Sequence, residues 1–158
     1  MSEHVTLLVY DITMGMAKAM SMMIIGQQID AVYHTSLVVF GREYYFGGGI
    51  CHDAPKTTPY GKPIQEIPLG QTEIPKEVFE EFLNDISPRF TAEKYDIIEH
   101  NCNMFTDAAA EFLVGKGIGE HYVKQAKNLL ESPAGQMFKP LLAQMQGQVQ
   151  NPPPGFFY

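Results

Sequence analysis

The chain has 158 residues, with 11 Lys and Arg against 18 Asp and Glu, a net charge of −7. That length suits one domain with enough core to fold without disulfide or metal staples, and 45% hydrophobic with 18% charged residues excludes a wholly disordered chain. The acidic balance argues against binding to nucleic acid, which requires clustered Lys and Arg, and the longest apolar stretches, around Met22–Ile25, fall far short of the roughly 20 residues of a membrane span.

Val5–Tyr10 reads as a buried first strand. Asp11 or Thr13 then caps a helix over about 14–28, in which Met16, Met20, Met23 and Ile24 share one face and are expected to fill the core flexibly. Tyr33–Phe40 and Tyr44–Phe46 form a hairpin around a turn at Gly41-Arg42-Glu43. Gly47-Gly48-Gly49 breaks the second strand. These glycines either turn the chain or line a narrow groove that admits another backbone. No Lys-Ser/Thr ending follows them, so they are not a phosphate loop. Ile50–Asp53 leads into a surface loop over Pro55–Pro63, and Ile64–Leu69 makes another strand.

Pro75 opens a helix with Val78, Phe79, Phe82, Leu83 and Ile86 on its apolar face, ended by Ser87-Pro88. Residues 95–98 are extended. A helix over 102–114 carries Phe105, Ala109, Phe112 and Leu113 as its stripe and stops at Gly115. Further helical stretches follow at about 120–131 and 140–149. The domain is expected to span 1–147, with a Pro-rich aromatic tail over 148–158, of which Asn151–Tyr158 cannot be helical.

Glu99-His100-Asn101-Cys102-Asn103-Met104-Phe105 is the segment richest in chemistry. Asn101 is a good N-cap, which places Cys102 in the first helical turn, where free amides and the dipole face its sulfur. Beside an imidazolium, such a thiol has a lowered pKa and becomes a nucleophile; otherwise Cys102 is a small buried apolar residue. Of the five histidines, His34 opens a core strand and offers the most rigid mounting for a base. The N-terminal Met1-Ser2-Glu3-His4 lacks the basic-then-apolar order of a secretory leader, so Cys51 and Cys102 are expected in a reducing, cytoplasmic setting, with the nucleus equally open at 17.7 kDa. Cys51-His52 with His100 and Cys102 is a conceivable zinc set, but adjacent ligands break the usual spacing, and no metal is expected.

Val9-Tyr10-Asp11, Tyr33-His34-Thr35-Ser36, Tyr45-Phe46-Gly47-Gly48-Gly49-Ile50 and Glu99–Phe105, in that order and spacing, resemble the PPPDE family, and within it the desumoylating isopeptidases. The likeness runs from about Val5 to Gly147. It implies an α+β, circularly permuted papain-like cysteine peptidase fold, a small antiparallel sheet packed with several helices. It also implies Cys102 as nucleophile, His34 as base, no cofactor, and a homodimer. Tyr33 stands where members often carry Trp. Tyr33, Gly47, Gly48, Gly49 and Asn101 are candidates to line the substrate groove, and Asp11 or Asn101 to orient the pair. The implied activity is hydrolysis of the isopeptide bond between a SUMO-like or other ubiquitin-like modifier and a target lysine, through a Cys102 acyl-thioester. Removal of an S-acyl group such as palmitate by the same dyad, or a non-catalytic dimeric binding module, are the alternatives.

Overall fold

The computed structural model describes residues 2–25, 28–131 and 139–150, and the aromatic tail from 151 onward lies outside them. Five strands form one antiparallel sheet: β1 (Glu3–Asp11), β2 (Tyr33–Val39), β3 (Arg42–Gly47), β4 (Gly49–Asp53) and β5 (Gln65–Thr72), in the order β4-β3-β2-β1-β5. The helices are α1 (Met16–Ile25), α2 (Lys76–Ile86), α3 (Cys102–Val114), α4 (Glu120–Val123), α5 (Gln125–Glu131) and α6 (Lys139–Gln150). The α+β class expected from the sequence is the one observed.

β1 reads as an almost unbroken buried run because both of its faces are covered. Strand side chains alternate in direction, and here the alternation divides two clusters. Val5, Leu7 and Val9 join Phe105, Ala109 and Leu113 of α3 and Phe79 of α2 in the main core. Leu8 and Tyr10 face the other way, toward Tyr45 and Tyr60. Small residues at Ala109 and Ala110 let α3 lie close to the sheet, and Gly115 ends it with φ at 79°.

Several expectations are corrected. The hairpin turn is centred on Phe40-Gly41, both at positive φ, so Arg42 and Glu43 already belong to β3 and Glu43 is fully buried. β4 is a strand where a loop was expected: Gly48 turns the chain tightly enough for Gly47 to pair with Gly49. The Pro55–Pro63 loop is not wholly a surface feature, since Thr58 and Tyr60 are buried, the ring of Tyr60 having the apolar area to pull its segment inward. The methionine stripe does not fill the core. Met16, Met20 and Met23 are 58%, 42% and 87% exposed, and α1 packs instead through Ala17 and Ser21, against Val32 and Leu129 and through a hydrogen bond to the Ile29 amide. The side chain of Ile24 lies outside the described residues. On α2, Val78 is likewise exposed.

One irregularity of the sheet brings the start of α3 against β2. β2 pairs with β1 from Tyr33 to Val38, but with β3 only over Leu37–Val39. Along Tyr33–Thr35 the polar groups of the β3-facing edge go to helices instead. Asn103 Nδ2 donates to the Tyr33 carbonyl at 3.1 Å, Thr106 Oγ1 to the Thr35 carbonyl at 3.1 Å, and the Tyr33 amide donates to Gln125 Oε1 at 2.8 Å. The start of α3 thus replaces a strand as the neighbour of β2, as buried backbone groups must find partners somewhere.

Phe105→Ala should destabilise the protein by about 3–5 kcal/mol, whereas Met23→Gln should change stability by less than about 0.5 kcal/mol. Denaturant unfolding of the two variants checks this, and a large cost at Met23 would restore the methionine face to the core.

Candidate active site

Asn101 is the N-cap of α3, with its side-chain Oδ1 accepting from the amides of Asn103 at 3.0 Å and Met104 at 3.2 Å. Its Nδ2 donates to the Ile97 carbonyl, so the side chain is fully engaged in holding the helix start. Cys102 follows in the first turn and is buried. Its thiol points toward Asn103 Oδ1 at 3.8 Å, and Asn103 is itself held by the hydroxyl of Thr35 at 2.8 Å.

Burial dominates the titration of Cys102 and pushes its thiol up to about 11. The Tyr95 hydroxyl and the amides of Thr35, Asn103 and Cys102 itself pull the other way, as donors to the sulfur. The expected thiolate is therefore not the resting form. The donors that would stabilise it are assembled, but removal from water outweighs them.

His34 sits on β2 opposite Tyr10 and is buried, with Nε2 lacking a hydrogen-bond partner among the described residues. Burial alone holds the imidazole down, at about 3, so the resting ring is neutral. Its ring stacks on Tyr60, with centroids 3.6 Å apart. The segments carrying His34 and Cys102 adjoin: the sulfur receives the amide of Thr35, the residue after His34. Tyr60 adjoins both, since burial and then the nearby Cys102 hold its phenol well above the ordinary range.

A crevice with only about 10 Å³ of open space is lined by Cys102, Tyr33, Tyr95, Asn101 and Asn103 among others. That is about the room one water needs, so the resting site is closed to a peptide. Tyr33 and Asn101 both line this crevice, Tyr33 set edge-on against Tyr122. Gly47, Gly48 and Gly49 form the β3–β4 turn and do not line this crevice.

Neither candidate for orienting the pair points at His34. Asn101 is the cap, and the Asp11 carboxylate accepts from the amides of Thr13, Gly15 and Val32 and from the Thr13 hydroxyl, fixing the approach to α1. Cys51 lies half-buried on β4, and burial with Asp53 beside it raises its thiol to about 11. His52 is exposed and accepts from Arg42 at 3.1 Å, and no three metal-ligating side chains converge among the described residues. Tyr95, Thr35 and Tyr60 were not legible as site residues. Tyr95 carried only a signal of extended chain, and Tyr60 lay in a loop that reads as surface.

A buried neutral histidine makes stability depend on pH. Between about 3 and 6.5 the unfolded chain binds a proton at His34 that the folded chain does not, so stability falls as pH drops through that window. Unfolding free energy should decline by about 2 kcal/mol from pH 7 to pH 5 on account of this residue. His34→Gln, which cannot titrate, should remove that part of the decline in denaturant unfolding at the two pH values; an unchanged decline would place the titration elsewhere.

Residues 3–143 match the model of the "PPPDE putative peptidase domain". Desumoylating isopeptidase 1 of Homo sapiens is 38% identical over 153 residues, covering 96% of this chain and 89% of that protein. The Xenopus laevis protein of that name is 37% identical over 146 residues, covering 91% and 86%, and that of Rattus norvegicus 37% over 153 residues, covering 96% and 89%. With the strand that carries His34 preceding the helix that opens on Cys102, and with nearly the whole chain matched, the protein belongs to the PPPDE peptidase family.

Proposed function

We propose that this protein is a cysteine isopeptidase that releases a SUMO-like modifier from target lysines, with Cys102 as nucleophile and His34 as base. The observation that carries the assignment is the setting of Cys102: the first turn of α3, its sulfur faced by three backbone amides and the Tyr95 hydroxyl, against the strand that holds His34. The names of the relatives supply the substrate class.

In this reading, substrate entry widens the crevice and completes the site. His34 takes the thiol proton as the sulfur attacks the carbonyl carbon of the modifier's terminal glycine. The carbonyl electrons move onto oxygen, where amides at the start of α3 receive the charge; one such donor is worth about 3–4 kcal/mol. When the tetrahedral species collapses, the C–N bond breaks and the imidazolium gives its proton to the departing lysine amine. Water, deprotonated by His34, then adds to the thioester, and the modifier leaves as a carboxylate with the thiol restored.

A closed, neutral resting pair suits this chemistry in one respect. The sulfur is not standing as an exposed thiolate, the form that oxidants and stray electrophiles attack. Its reactivity is low at rest and is raised when a substrate occupies the crevice.

Cys102→Ser should abolish cleavage of a SUMO conjugate without unfolding the protein, and His34→Gln should lower kcat/KM by about 10²–10⁴-fold. A SUMO bearing a C-terminal electrophile should modify Cys102 and spare Cys51, as read by mass spectrometry of the peptides. Turnover retained in Cys102→Ser would overturn the nucleophile, and turnover of an acyl-thioester probe alone would replace the substrate class.

Because neither thiol nor imidazole titrates between about 3 and about 11, kcat/KM should be flat from about pH 5 to about pH 9. A bell with a limb near neutrality in the pH profile would show that the pair ionises in the free enzyme.

A further inference from the structure

A buried base that accepts a proton becomes a buried cation, and an isolated cation in a dry site is costly. Three-residue sites meet that cost with a carboxylate or amide that orients the imidazole and stabilises its charged form. Here Nε2 of His34 has no such partner among the described residues, and the two side chains best placed by sequence, Asp11 and Asn101, are bound elsewhere. What surrounds the imidazole is aromatic. The Tyr60 ring lies parallel to it at 3.6 Å and 16°, with the rings of Tyr10 and Tyr45 at 5.6 and 6.0 Å.

We propose that Tyr60 is the positioning residue for His34, its stacked ring fixing the imidazole plane and stabilising the imidazolium formed when Cys102 gives up its proton. The proposal rests on Cys102 and His34 as the reacting pair. The negative face of an aromatic ring attracts a cation within about 6 Å of its centre, most strongly where water is excluded. Tyr60 also excludes that water. It also lines a surface cleft of about 670 Å³, with Met14, Lys18, Lys62 and Ile64 among others, whose lining does not include the buried His34.

The surrounding hydrogen bonds reinforce both roles. Tyr10 donates its hydroxyl to Glu43 and Tyr45 donates its hydroxyl to Asp53, each at 2.7 Å. A phenol that donates to a carboxylate gains electron density, which deepens the negative face of its ring. Glu43 is buried and also accepts from the Ser36 hydroxyl at 2.6 Å and the Lys56 amide at 2.8 Å. One carboxylate therefore moors β2, Tyr10 and the loop that delivers Tyr60. This gives the buried Glu43 a purpose that the dyad alone leaves unexplained.

The test is a double-mutant cycle on the full chain, read as the rate of Cys102 alkylation by iodoacetamide at pH 7 and followed by mass spectrometry of the Cys102 peptide. Tyr60→Leu should slow alkylation about fivefold to thirtyfold when His34 is present, relative to its effect in a His34→Gln background, and Tyr60→Phe should restore most of the loss. An equal effect of Tyr60→Leu in both backgrounds would overturn the proposal, because the residue would then act on packing or access. So would a Tyr60→Phe as slow as Tyr60→Leu, or a faster reaction in Tyr60→Leu confined to the His34 background. Should Tyr60→Leu fail to fold, 3,4,5-trifluorophenylalanine at position 60 keeps the shape and weakens the ring face; it should be several-fold slower than Tyr60→Phe, and equality would overturn the proposal. Alkylation indifferent to His34→Gln would remove the pair and the proposal with it. Normal His34-dependent alkylation without cleavage of a SUMO conjugate would dismiss the substrate reading alone.

Discussion

The parting of β2 from β3 is the constraint on which the site depends. Beyond Leu37, the ladder that should continue between the two strands is taken over by side chains of α3 and α5. Asn103 and Thr106 bond to carbonyls, and the Thr35 amide is left to face the Cys102 sulfur. A regular sheet would have spent that amide on a neighbouring strand and kept the helix a full layer away. Sheet packing distances are near 10 Å, whereas a hydrogen bond from helix to strand edge brings the backbones much closer. The placement of a cysteine beside the strand that holds a histidine thus follows from ordinary satisfaction of buried polar groups.

Two opposing effects then meet at the sulfur. A helix start, three amides and a phenol favour negative charge, and removal from water disfavours it. Burial wins in the resting protein, and it wins at His34 as well. The result is a neutral thiol at the start of α3 and a neutral imidazole on the strand against it, with the dipoles that favour a thiolate already in place. Preorganised donors cost nothing further when charge develops, so the dipoles that fail to ionise the resting thiol remain aimed at any negative charge formed on the sulfur. The crevice, about the size of one water, keeps solvent from undoing this balance.

The opposite face of the sheet holds a second polar assembly, unusual for its depth. Glu43 is wholly buried and accepts from Tyr10, Ser36 and the Lys56 amide. Such a network is tolerated because every contact is short and directed, and it fixes one arrangement of the loop over Tyr60. The exposed methionines of α1 contrast with it. They lie outside any core, on a helix that packs through Ala17 and Ser21, so their apolar surface has no role in holding the fold.

Sequence patterns reported what repeats along the chain. The β-branched run of β1, the stripe of α3 and the Asn101 cap each follow from a local period or a local hydrogen bond, and the ordered motifs around His34 and Cys102 were enough to indicate the family. The methionine spacing misled for a related reason: period shows that residues share a face, not which face is covered, and here the smaller residues pack more closely. Glu43, Tyr60, Tyr95 and the sulfur-facing amide of Thr35 belong to no pattern. Their roles arise from contacts between segments far apart in the chain, as Glu43 meets Tyr10 and Asn103 meets Tyr33. The charge states of Cys102 and His34 were decided the same way. A cap and a dipole are local and legible, but the depth of burial that overrides them is a property of the whole packed molecule, and only tertiary structure creates it.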